Sequence, residues 1–302
     1  MINFNKIRIE DKSWMKPIIS KADMEGCHQN FTNLFSWSKI NNYVAAHINN
    51  YVVIKADVPY DDPYYLFPAG DGDIKEVIDF MIQDAVDRGH CFKFAGLSEQ
   101  NISILENLYP NNFTYEENRD IYDYVYLIDK LVTLSGKKLH AKRNHINYFK
   151  NHFNWKFESI SPENLSECWD MNVQWCIKNG CDEDNHLSEE YCAVKRSFDN
   201  FHALELEGGL IRIDSEIIAY TIGEKLNSDT YVIHVEKAFS DIRGAYQMIN
   251  REYAERVQEK YSEIIYVNRE EDMGYEGLRK AKSSYYPIKM TKKDTAYYTS
   301  LK

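Results

Sequence analysis

Apolar and polar positions recur with two different periods along the chain, and each period predicts one type of element. In "GDIKEVIDFMIQDAVDRG" the apolar residues are three or four positions apart, which predicts a helix with Asp73 as its N-cap and Gly89 as its end. In "NNYVAAHINNYVVIKAD" two apolar runs flank an Asn-Asn turn, which predicts two short paired strands. Because such strands and helices alternate along the chain, the pattern predicts an α/β fold with mixed sheets.

The predicted elements follow a similar order in the two halves of the chain: hairpin strands, a strand, a helix, a strand, a helix and a strand. No residue-level repeat accompanies this order, so the similarity is one of pattern alone. We predict two similar domains, over residues 1–134 and 153–302. A bridging helix over residues 135–152 is predicted to join them.

Composition narrows the class of protein. Of the 302 residues, 44% are hydrophobic and 27% are charged, which is typical of a soluble globular protein. No apolar run approaches the roughly 18 residues of a membrane span, and the N-terminal residues do not resemble a signal peptide, so a cytoplasmic location is expected. The six cysteines contain no C-x-x-C pair, which predicts reduced thiols and no metal site, with a nucleophilic cysteine as the alternative.

Charge is distributed unevenly. The net charge of −11 argues against a protein that coats nucleic acid. Between Lys137 and Phe157, however, there are six Lys or Arg residues and no acid, and from Arg279 onwards there are seven against Asp294 alone. Local positive fields of this kind can steer an anionic ligand into a groove, although two solvated helix faces would give the same pattern.

The segment "LEGGLIRIDSEIIAYTIGEKL" and the following "YVIHVEKAFSDIRGAYQMINREYAERV" resemble GCN5-related acyltransferases in the order of their elements. In those proteins a loop and a helix N-terminus hold the pyrophosphate of a CoA thioester. The family loop reads roughly [QR]-x-x-G-x-[GA]. Here Gly244 matches it. Arg243 is a candidate to contact an anion, and a solvated arginine at a helix start is the alternative. Asp241 and Tyr246 depart from it, which disfavours standard CoA binding because a carboxylate repels a pyrophosphate and a ring blocks its approach.

The chain also resembles the phosphatidylglycerol lysyltransferase C-terminal-domain-like family in three segments, Gly136 to Phe149, His234 to Ala254 and Asn268 to Pro287. The resemblance implies two GCN5-related folds in tandem and a relation to Fem-type aminoacyltransferases, which take an amino acid from aminoacyl-tRNA. It therefore implies aminoacyl-tRNA or acyl-CoA as the donor. The lysyltransferase carries a membrane-embedded region that has no counterpart in this sequence, so lipid aminoacylation is not expected.

Acyl transfer to an amine requires a deprotonated acceptor, a polarised carbonyl and a protonated leaving group. The resemblance to GCN5-related acyltransferases implies that backbone N–H groups of the strand before the phosphate loop, here around Val235 to Lys237, polarise the carbonyl. Glu236 is the candidate base or amine-binding carboxylate, and His234 is predicted to point the same way because the strand period is two. Tyr246 and Tyr285 are the candidate proton donors. A core histidine and a structural glutamate remain the alternatives at these two strand positions.

The stretch "NREEDMGYEGLRKAKSSYYP" supplies the candidate substrate site at the end of a predicted strand. Asp272 is expected to hold an α-amino group, and Arg279 or Lys282, on one helix face, to hold a carboxylate or phosphate. Helix capping by Asp272, with the cations pairing nearby acids, is the alternative. The full substrate-binding set is Asn268, Glu270, Asp272, Arg279 and Lys282, and the donor or anion set is Arg243, Gly244, Lys142, Arg143 and Asn144.

Three functions stay open at this stage. The first is an acyltransferase or aminoacyltransferase that moves its group directly to an amine or hydroxyl acceptor without a covalent intermediate. The second is a non-catalytic module that binds a small charged metabolite in a cleft between the domains. The third is a CoA-dependent N-acetyltransferase. The expected partners are a small charged substrate and the acceptor end of a tRNA, and the sequence gives no oligomeric state.

Overall fold

The computed structural model describes residues 1–58, 62–181 and 183–299. Its strands, numbered in chain order, are β1 Asn5–Lys6, β2 Tyr43–Ile48, β3 Tyr51–Ala56, β4 Tyr64–Leu66, β5 Ala69–Gly70, β6 Lys93–Leu97, β7 Phe113–Glu116, β8 Asp123–Leu127, β9 Trp155–Ser159, β10 Glu207–Ile213, β11 Glu216–Lys225, β12 Thr230–Ala238, β13 Tyr266–Asn268, β14 Lys289–Thr291 and β15 Asp294–Tyr298.

The α-helices are α1 Lys12–Ala22, α2 Phe31–Ser36, α3 Ile74–Arg88, α4 Glu99–Leu108, α5 Ile128–Thr133, α6 His140–His152, α7 Leu165–Asn179, α8 Asn185–Asp199, α9 Phe201–Leu204, α10 Ala245–Lys260 and α11 Glu276–Ser283. Short 3-10 helices cover Ile9–Asp11, Cys27–Gln29 and Arg119–Ile121. The predicted caps of α3 are observed, because the Asp73 side chain accepts from the Glu76 amide and Gly89 ends the helix at φ 78°.

The chain divides into two compact units. The first unit contains Met1–Asp123, Glu271–Arg279 and Met290–Lys302, and the second contains Tyr124–Glu270 and Lys280–Lys289. This division differs from the predicted boundaries at residues 134 and 153. The strand β8 pairs with β13, and α5 packs on α10, so both elements belong to the second unit. The predicted bridging helix, observed as α6, also lies wholly within the second unit.

The first unit is built on a sheet of order β1–β2–β3–β4–β6–β15–β7, with β5 paired to β3. β4 and β6 run parallel and are joined by α3, while the other printed pairs of this sheet are antiparallel. The buried face of α3, with Ile78 and Met81, packs on an aromatic core that includes Tyr65, Phe92 and Phe94. The apolar residues whose helical spacing was recognised in the sequence thus form the face of α3 that packs on the sheet.

The second unit has the strand order β8–β13–β12–β11–β10–β9 in its sheet. Here β12 and β13 are the parallel pair, and α10 connects them with Met248, Ile249 and Tyr253 buried. The pairs among β8, β13, β12, β11, β10 and β9 are otherwise antiparallel, so each unit contains one parallel β-α-β step among antiparallel neighbours. The predicted fold class, mixed α/β, is confirmed, with one sheet and its helices in each of two compact units.

The cysteines depart from the sequence-based expectation. Cys176 and Cys181 form a disulfide that links the last turn of α7 to the residue after its Gly180 cap. The expectation of reduced thiols was wrong for this pair, because a five-residue separation is bridged once the glycine turns the chain back. The remaining four cysteines are reduced.

Candidate functional site

The parallel strands of the second unit separate at their carboxyl ends. The ladder between β12 and β13 ends at Val232 and Asn268, whereas β12 continues to Ala238. In open α/β sheets a crevice outside the carboxyl ends of parallel strands is the usual ligand site. Glu236 lies on the separated part of β12, and Arg269 is the first residue after β13.

Arg269 and Glu236 form a buried ion pair in this crevice. The Arg269 Nη2 donates to Glu236 Oε1 at 2.7 Å, and the Asn250 side-chain amide on α10 donates to Glu236 Oε2 at 3.0 Å. Beside Glu236 and Asn250 lies a cavity of about 10 Å³, which has room for about one water-sized group. The carboxylate that was predicted as a base is therefore already neutralised by a cation.

The second terminal nitrogen of Arg269, Nη1, is buried and has no hydrogen-bond partner among the described residues. The guanidinium carbon lies 5.6 Å from the ring centre of Tyr126 and 5.1 Å from that of Tyr285. A buried donor without a partner costs about 1–3 kcal/mol, so such groups are few in native structures. Arg269 thus offers a fixed, dehydrated donor to a ligand oxygen.

Lys142, on α6, adds a second cation to the cluster. Its Nζ lies 4.2 Å from the ring centre of Tyr285. Burial and the nearby Arg269 lower the pKa of Lys142 to about 8, although Glu236 opposes the shift. With one carboxylate and two cationic side chains, the cluster favours an anionic or partly negative ligand.

His234 is buried next to this cluster but contacts other residues. Its Nδ1 lies 2.9 Å from Glu270 Oε1 and its Nε2 lies 3.3 Å from Glu224 Oε1. Burial alone lowers the pKa of His234, but the two carboxylates outweigh it and raise the pKa to about 9. A histidine held protonated in this way is an ion-pair partner and not a base at neutral pH.

His234 and Glu236 were predicted to point the same way, but in the structure they point in different directions. The register between β11 and β12 shifts at Ile222/Gly223, where His234 is one extra residue in β12. Such a β-bulge interrupts the alternation of side chains on which the prediction depended. Glu236 consequently shares the small cavity with Ile233, three residues away, while His234 pairs with two glutamates.

Gly244, from the predicted phosphate loop, lies against α6. Its φ is 93°, and a Cβ atom there would lie 2.6 Å from the carbonyl oxygen of His145. Close packing on α6 accounts for the glycine without a bound phosphate. The neighbouring Arg243 stacks on the ring of Tyr148, 4.2 Å from its centre, and so has a structural contact of its own.

Two other members of the predicted anion set are away from the cluster. The Arg143 guanidinium donates to the carbonyl of Gly136 at 2.8 Å and also to that of Leu134, and so fixes the loop before α6. The Asn144 side chain lies at hydrogen-bond distance, 3.3 Å, from the His140 ring. Of the predicted anion-binding residues on α6, only Lys142 reaches Tyr285 and Arg269.

The two candidate proton donors are both held in the phenol form. The Tyr246 hydroxyl accepts a hydrogen bond from the Trp175 indole at 3.1 Å, and burial raises the pKa of Tyr246. Burial also raises the pKa of Tyr285, against the opposing effect of Arg269. Both hydroxyls can donate a proton, and Tyr285 is the one in contact with the Lys142 and Arg269 cations.

Asp272 and Arg279 lie in the first unit and neutralise each other. Asp272 is completely buried, and the Arg279 guanidinium donates to its two oxygens at 2.8 and 3.0 Å. Asp272 also accepts from Arg119 and from the Gly274 amide, and Arg279 donates to Asp120 at 2.6 Å. Asp272 and Arg279, which were predicted to bind opposite charges of one ligand, are thus each other's partners in the structure. Of the alternative, the pairing of the cation with acids is observed, whereas the Asp272 side chain accepts from the Gly274 amide, ahead of the start of α11 at Glu276.

The remaining predicted substrate residues have structural contacts in the second unit. The Lys282 Nζ donates to the Arg269 carbonyl at 2.6 Å, so it does not share a ligand with Arg279. Asn268 is completely buried and accepts from the Glu270 amide at 2.8 Å. Lys282 and Asn268 therefore fix the backbone on both sides of Arg269 and hold its side chain in the crevice.

A buried polar cluster in the first unit was not predicted. The Lys293 Nζ lies 2.5 Å from Asp123, 2.8 Å from Glu271 and 3.3 Å from the Cys27 sulfur. Burial lowers the pKa of Lys293, but Asp123, Cys27 and Glu271 together outweigh this effect and hold the pKa well above its usual value. The thiol and the two carboxylates have the spacing of a metal site, but the ammonium group is the cation that they surround.

Sequence reasoning missed Arg269, although it named both neighbours of this residue. The signal that was available is position: Arg269 directly follows the apolar run "EIIYVN", which ends a strand at the sheet edge where ligands bind. Asn250 was missed because a polar residue in the middle of an amphipathic helix has no distinctive spacing.

None of the helices in the described part of the chain is long and apolar enough to cross a membrane. A model of the family described as "Phosphatidylglycerol lysyltransferase, C-terminal" matches residues 20–297. An uncharacterised protein of Mycoplasmoides gallisepticum is 23% identical over 176 residues, which are 55% of this chain. The match spans about half of that relative, 52% of its length.

Several solved structures are similar to this chain over almost its whole length. A conserved protein of unknown function from Bacteroides thetaiotaomicron VPI-5482 is 38% identical, with a TM-score of 0.93 over 99% of this chain and 100% of that one. L-PGS from Bacillus licheniformis is 14% identical, with a TM-score of 0.69 over 100% of this chain and 95% of that one. FemX is 11% identical, with a TM-score of 0.63 over 98% and 97% of the two chains. The likeness to the last two shows a shared fold. Because the family model covers most of its residues, the chain belongs to the phosphatidylglycerol lysyltransferase C-terminal family.

Proposed function

We propose that the protein is an acyltransferase that moves an aminoacyl group directly to an amine or hydroxyl acceptor, at the crevice between β12 and β13. The observation that supports this most strongly is the buried, unpartnered Nη1 of Arg269. Preorganised donors of this kind stabilise the negative charge that develops on a carbonyl oxygen during acyl transfer. Because the donor is already dehydrated, it needs no reorganisation at the moment of reaction.

The reaction balances with groups that the cluster contains. The acceptor's lone pair attacks the ester carbonyl carbon, the carbonyl oxygen takes up negative charge beside Arg269, and the bond to the leaving oxygen breaks as the carbonyl re-forms. One proton leaves the acceptor and one proton reaches the leaving oxygen. With a pKa of about 8, roughly a tenth of Lys142 is neutral at pH 7 and can take the first proton. The Tyr285 phenol can supply the second.

In this proposal Glu236 orients the acceptor group and does not act as the base. A carboxylate paired with a guanidinium is a weak proton acceptor, but it can orient an amine or hydroxyl placed in the small cavity beside it. Asn250, whose Oδ1 is buried without a partner among the described residues, is a second acceptor at the same cavity. The acceptor group of the substrate would thus be held by oxygen atoms on one side of the crevice.

An aminoacyl donor is favoured over acyl-CoA by two observations. The family description names a lysyl transfer, which is an aminoacyl transfer. Gly244, the loop position that would face a CoA pyrophosphate, is instead packed on α6. Aminoacyl-tRNA is therefore the proposed donor, and the acceptor end of the tRNA is the proposed macromolecular partner.

The test is transfer from total tRNA charged with radiolabelled amino acids to a pool of small amines and hydroxyl compounds. We expect label to leave the tRNA and appear in a new small product, and we expect Arg269→Gln to abolish the transfer. The matched control is Arg256→Gln, which removes an exposed arginine of the same unit that pairs with Glu259. Wild-type rates in Arg269→Gln would contradict the assignment of the site.

The same preparation distinguishes the other two functions. Saturable binding of charged tRNA or of a free metabolite, without any transfer, would identify a non-catalytic binding module. Transfer from acetyl-CoA at a higher rate than from aminoacyl-tRNA would identify a CoA-dependent N-acetyltransferase. Glu236→Gln is expected to weaken acceptor binding more than donor binding, as measured by separate KM values.

A further inference from the structure

The first unit contains a cavity at the carboxyl ends of its own parallel strands. Phe67 and Pro68 follow β4, Gly96 and Ser98 lie at the end of β6, and all four line a cavity of about 140 Å³. A volume of this size holds a molecule about as large as benzene. By strand order, the cavity occupies the place in the first unit that the crevice between β12 and β13 occupies in the second.

His28 lines this cavity with both ring nitrogens unused. The two nitrogens are buried and make no hydrogen bond within the described residues. Burial and the nearby Lys293 ammonium lower the pKa of His28 to about 3, against the smaller opposing effects of Glu271 and of the Gly96 backbone, so the ring is neutral and has one donor and one acceptor nitrogen. Buried polar atoms normally have partners, so two such nitrogens at a cavity wall indicate a ligand that supplies them.

Two glycines make room for the His28 ring. A Cβ atom on Gly26 would lie 2.5 Å from the ring, and one on Gly96 would lie 2.3 Å from it. Gly96 also has a φ of 76°, a conformation that residues with side chains rarely adopt. The backbone on both sides is thus adapted to hold an imidazole at this wall.

The remaining lining residues restrict the charge and shape of the ligand. The charged residues of the lining are Asp23, Glu25 and Lys292, and Lys292 pairs with Glu99 at 3.3 Å and with Glu117 at 3.4 Å. With His28 neutral, the lining is net negative, which disfavours phosphates and simple carboxylates and favours a cation. An apolar wall for a hydrocarbon part is formed by Met24, Phe67, Ile74 and Ile104.

We propose that this cavity binds a small primary amine, the free amino acids included, with its ammonium group toward Asp23 and Glu25 and a hydrogen bond to His28. The hydrocarbon part of the ligand packs on the apolar wall. The site is separate from the proposed transfer site and does not depend on the reaction proposed there.

The test is calorimetric titration and thermal unfolding of the full chain with three matched sets of compounds. These are the L-amino acids, the amines that lack their carboxyl group, and the carboxylic acids that lack their amino group. We expect at least one compound with an amino group to bind and to raise Tm, and its counterpart without the amino group not to bind. His28→Phe is expected to weaken binding at least tenfold. Since neither nitrogen makes a side-chain hydrogen bond within the described residues, the Tm without ligand should fall little in this variant.

The matched control is His47→Phe, because His47 is an exposed imidazole of the same unit that does not line the cavity. It should bind as the wild type does. The proposal is overturned if no amine binds, if the acids without an amino group bind equally well, or if His28→Phe binds normally. If His28→Phe does not fold, Glu25→Gln at the exposed rim decides the question. A severalfold loss of affinity supports the proposal, and an unchanged affinity overturns it.

Discussion

The ion-paired His234 gives the second unit a stability that depends on pH. The side chain is 5% exposed and lies between Glu224 and Glu270, which raise its pKa from 6.5 to about 9 against the effect of burial. A rise of this size corresponds to about 3.4 kcal/mol of stability. Because the folded-state pKa is the higher one, this stability is fully present below pH 6.5 and is lost as the pH rises through 9. It amounts to about 2 kcal/mol at pH 7.5 and to about 0.8 kcal/mol at pH 8.5.

The perturbation that tests this is His234→Gln, which keeps a polar side chain but cannot carry a charge. Urea denaturation, followed by circular dichroism between pH 6 and pH 9.5, gives the free energy of unfolding of both proteins. We expect the variant to be less stable by about 3 kcal/mol at pH 6, with the difference shrinking toward zero above pH 9. The control is His152→Gln, because His152 is exposed and its contacts are a backbone carbonyl at 2.8 Å and the stacked ring of Tyr148, neither of them an acid, so its removal should change stability much less than that of His234.

A difference between wild type and His234→Gln that is the same at every pH would refute this reasoning. It would mean that the imidazole stabilises the unit through packing or neutral hydrogen bonds and not through its charge. A pKa of His234 at or below 6.5, measured from its ring proton resonances, would lead to the same conclusion.

Three further predictions concern single side chains. Lys293→Met leaves buried carboxylates without their cation and is expected to lower the free energy of unfolding by about 3–5 kcal/mol in urea denaturation; a loss under about 1 kcal/mol would contradict this. Gly244→Ala should cost about 3 kcal/mol, since the new methyl meets the α6 backbone, whereas Gly136→Ala, with a similar φ and no atom within 4 Å, should cost about 1–2 kcal/mol. Equal thermal destabilisation by the two changes would show that φ strain alone matters. Arg269→Gln removes a cation that lowers the pKa of Lys142, so the pKa of Lys142 should rise above about 8. NMR of ¹³C-methylated lysines measures this pKa, and an unchanged value would exclude an electrostatic effect of Arg269 on Lys142.

Local features of the fold could be predicted because neighbours in the sequence determine them. The caps of α3 at Asp73 and Gly89 and the hairpin between β2 and β3 depend on residues a few positions apart. The place of β15 could not be predicted in this way. Alternating residues indicate that a strand forms, but the identity of its partners, here β6 and β7, depends on contacts between distant segments.

The same limit applies to the candidate site. The sequence contains the charged residues Glu236, Asp272 and Arg279, but it does not show which of them form ion pairs with each other. Arg279 turned out to be the partner of Asp272, and Glu236 that of the unpredicted Arg269. The prediction that His234 and Glu236 point the same way depended on strict alternation along β12, which the single-residue bulge at His234 interrupts. The spacing of residues in a single sequence does not predict such a bulge.

The position of β15 also has a consequence for biosynthesis. This strand lies between β6 and β7, yet it is translated after the whole continuous segment of the second unit. A nascent chain that has not reached Asp294 therefore holds β6 and β7 with unpaired edges, which are open to wrong pairing. The unit whose main segment is translated first is therefore the unit whose sheet is completed last. Its unpaired strands are the part of the nascent chain that a chaperone would need to protect.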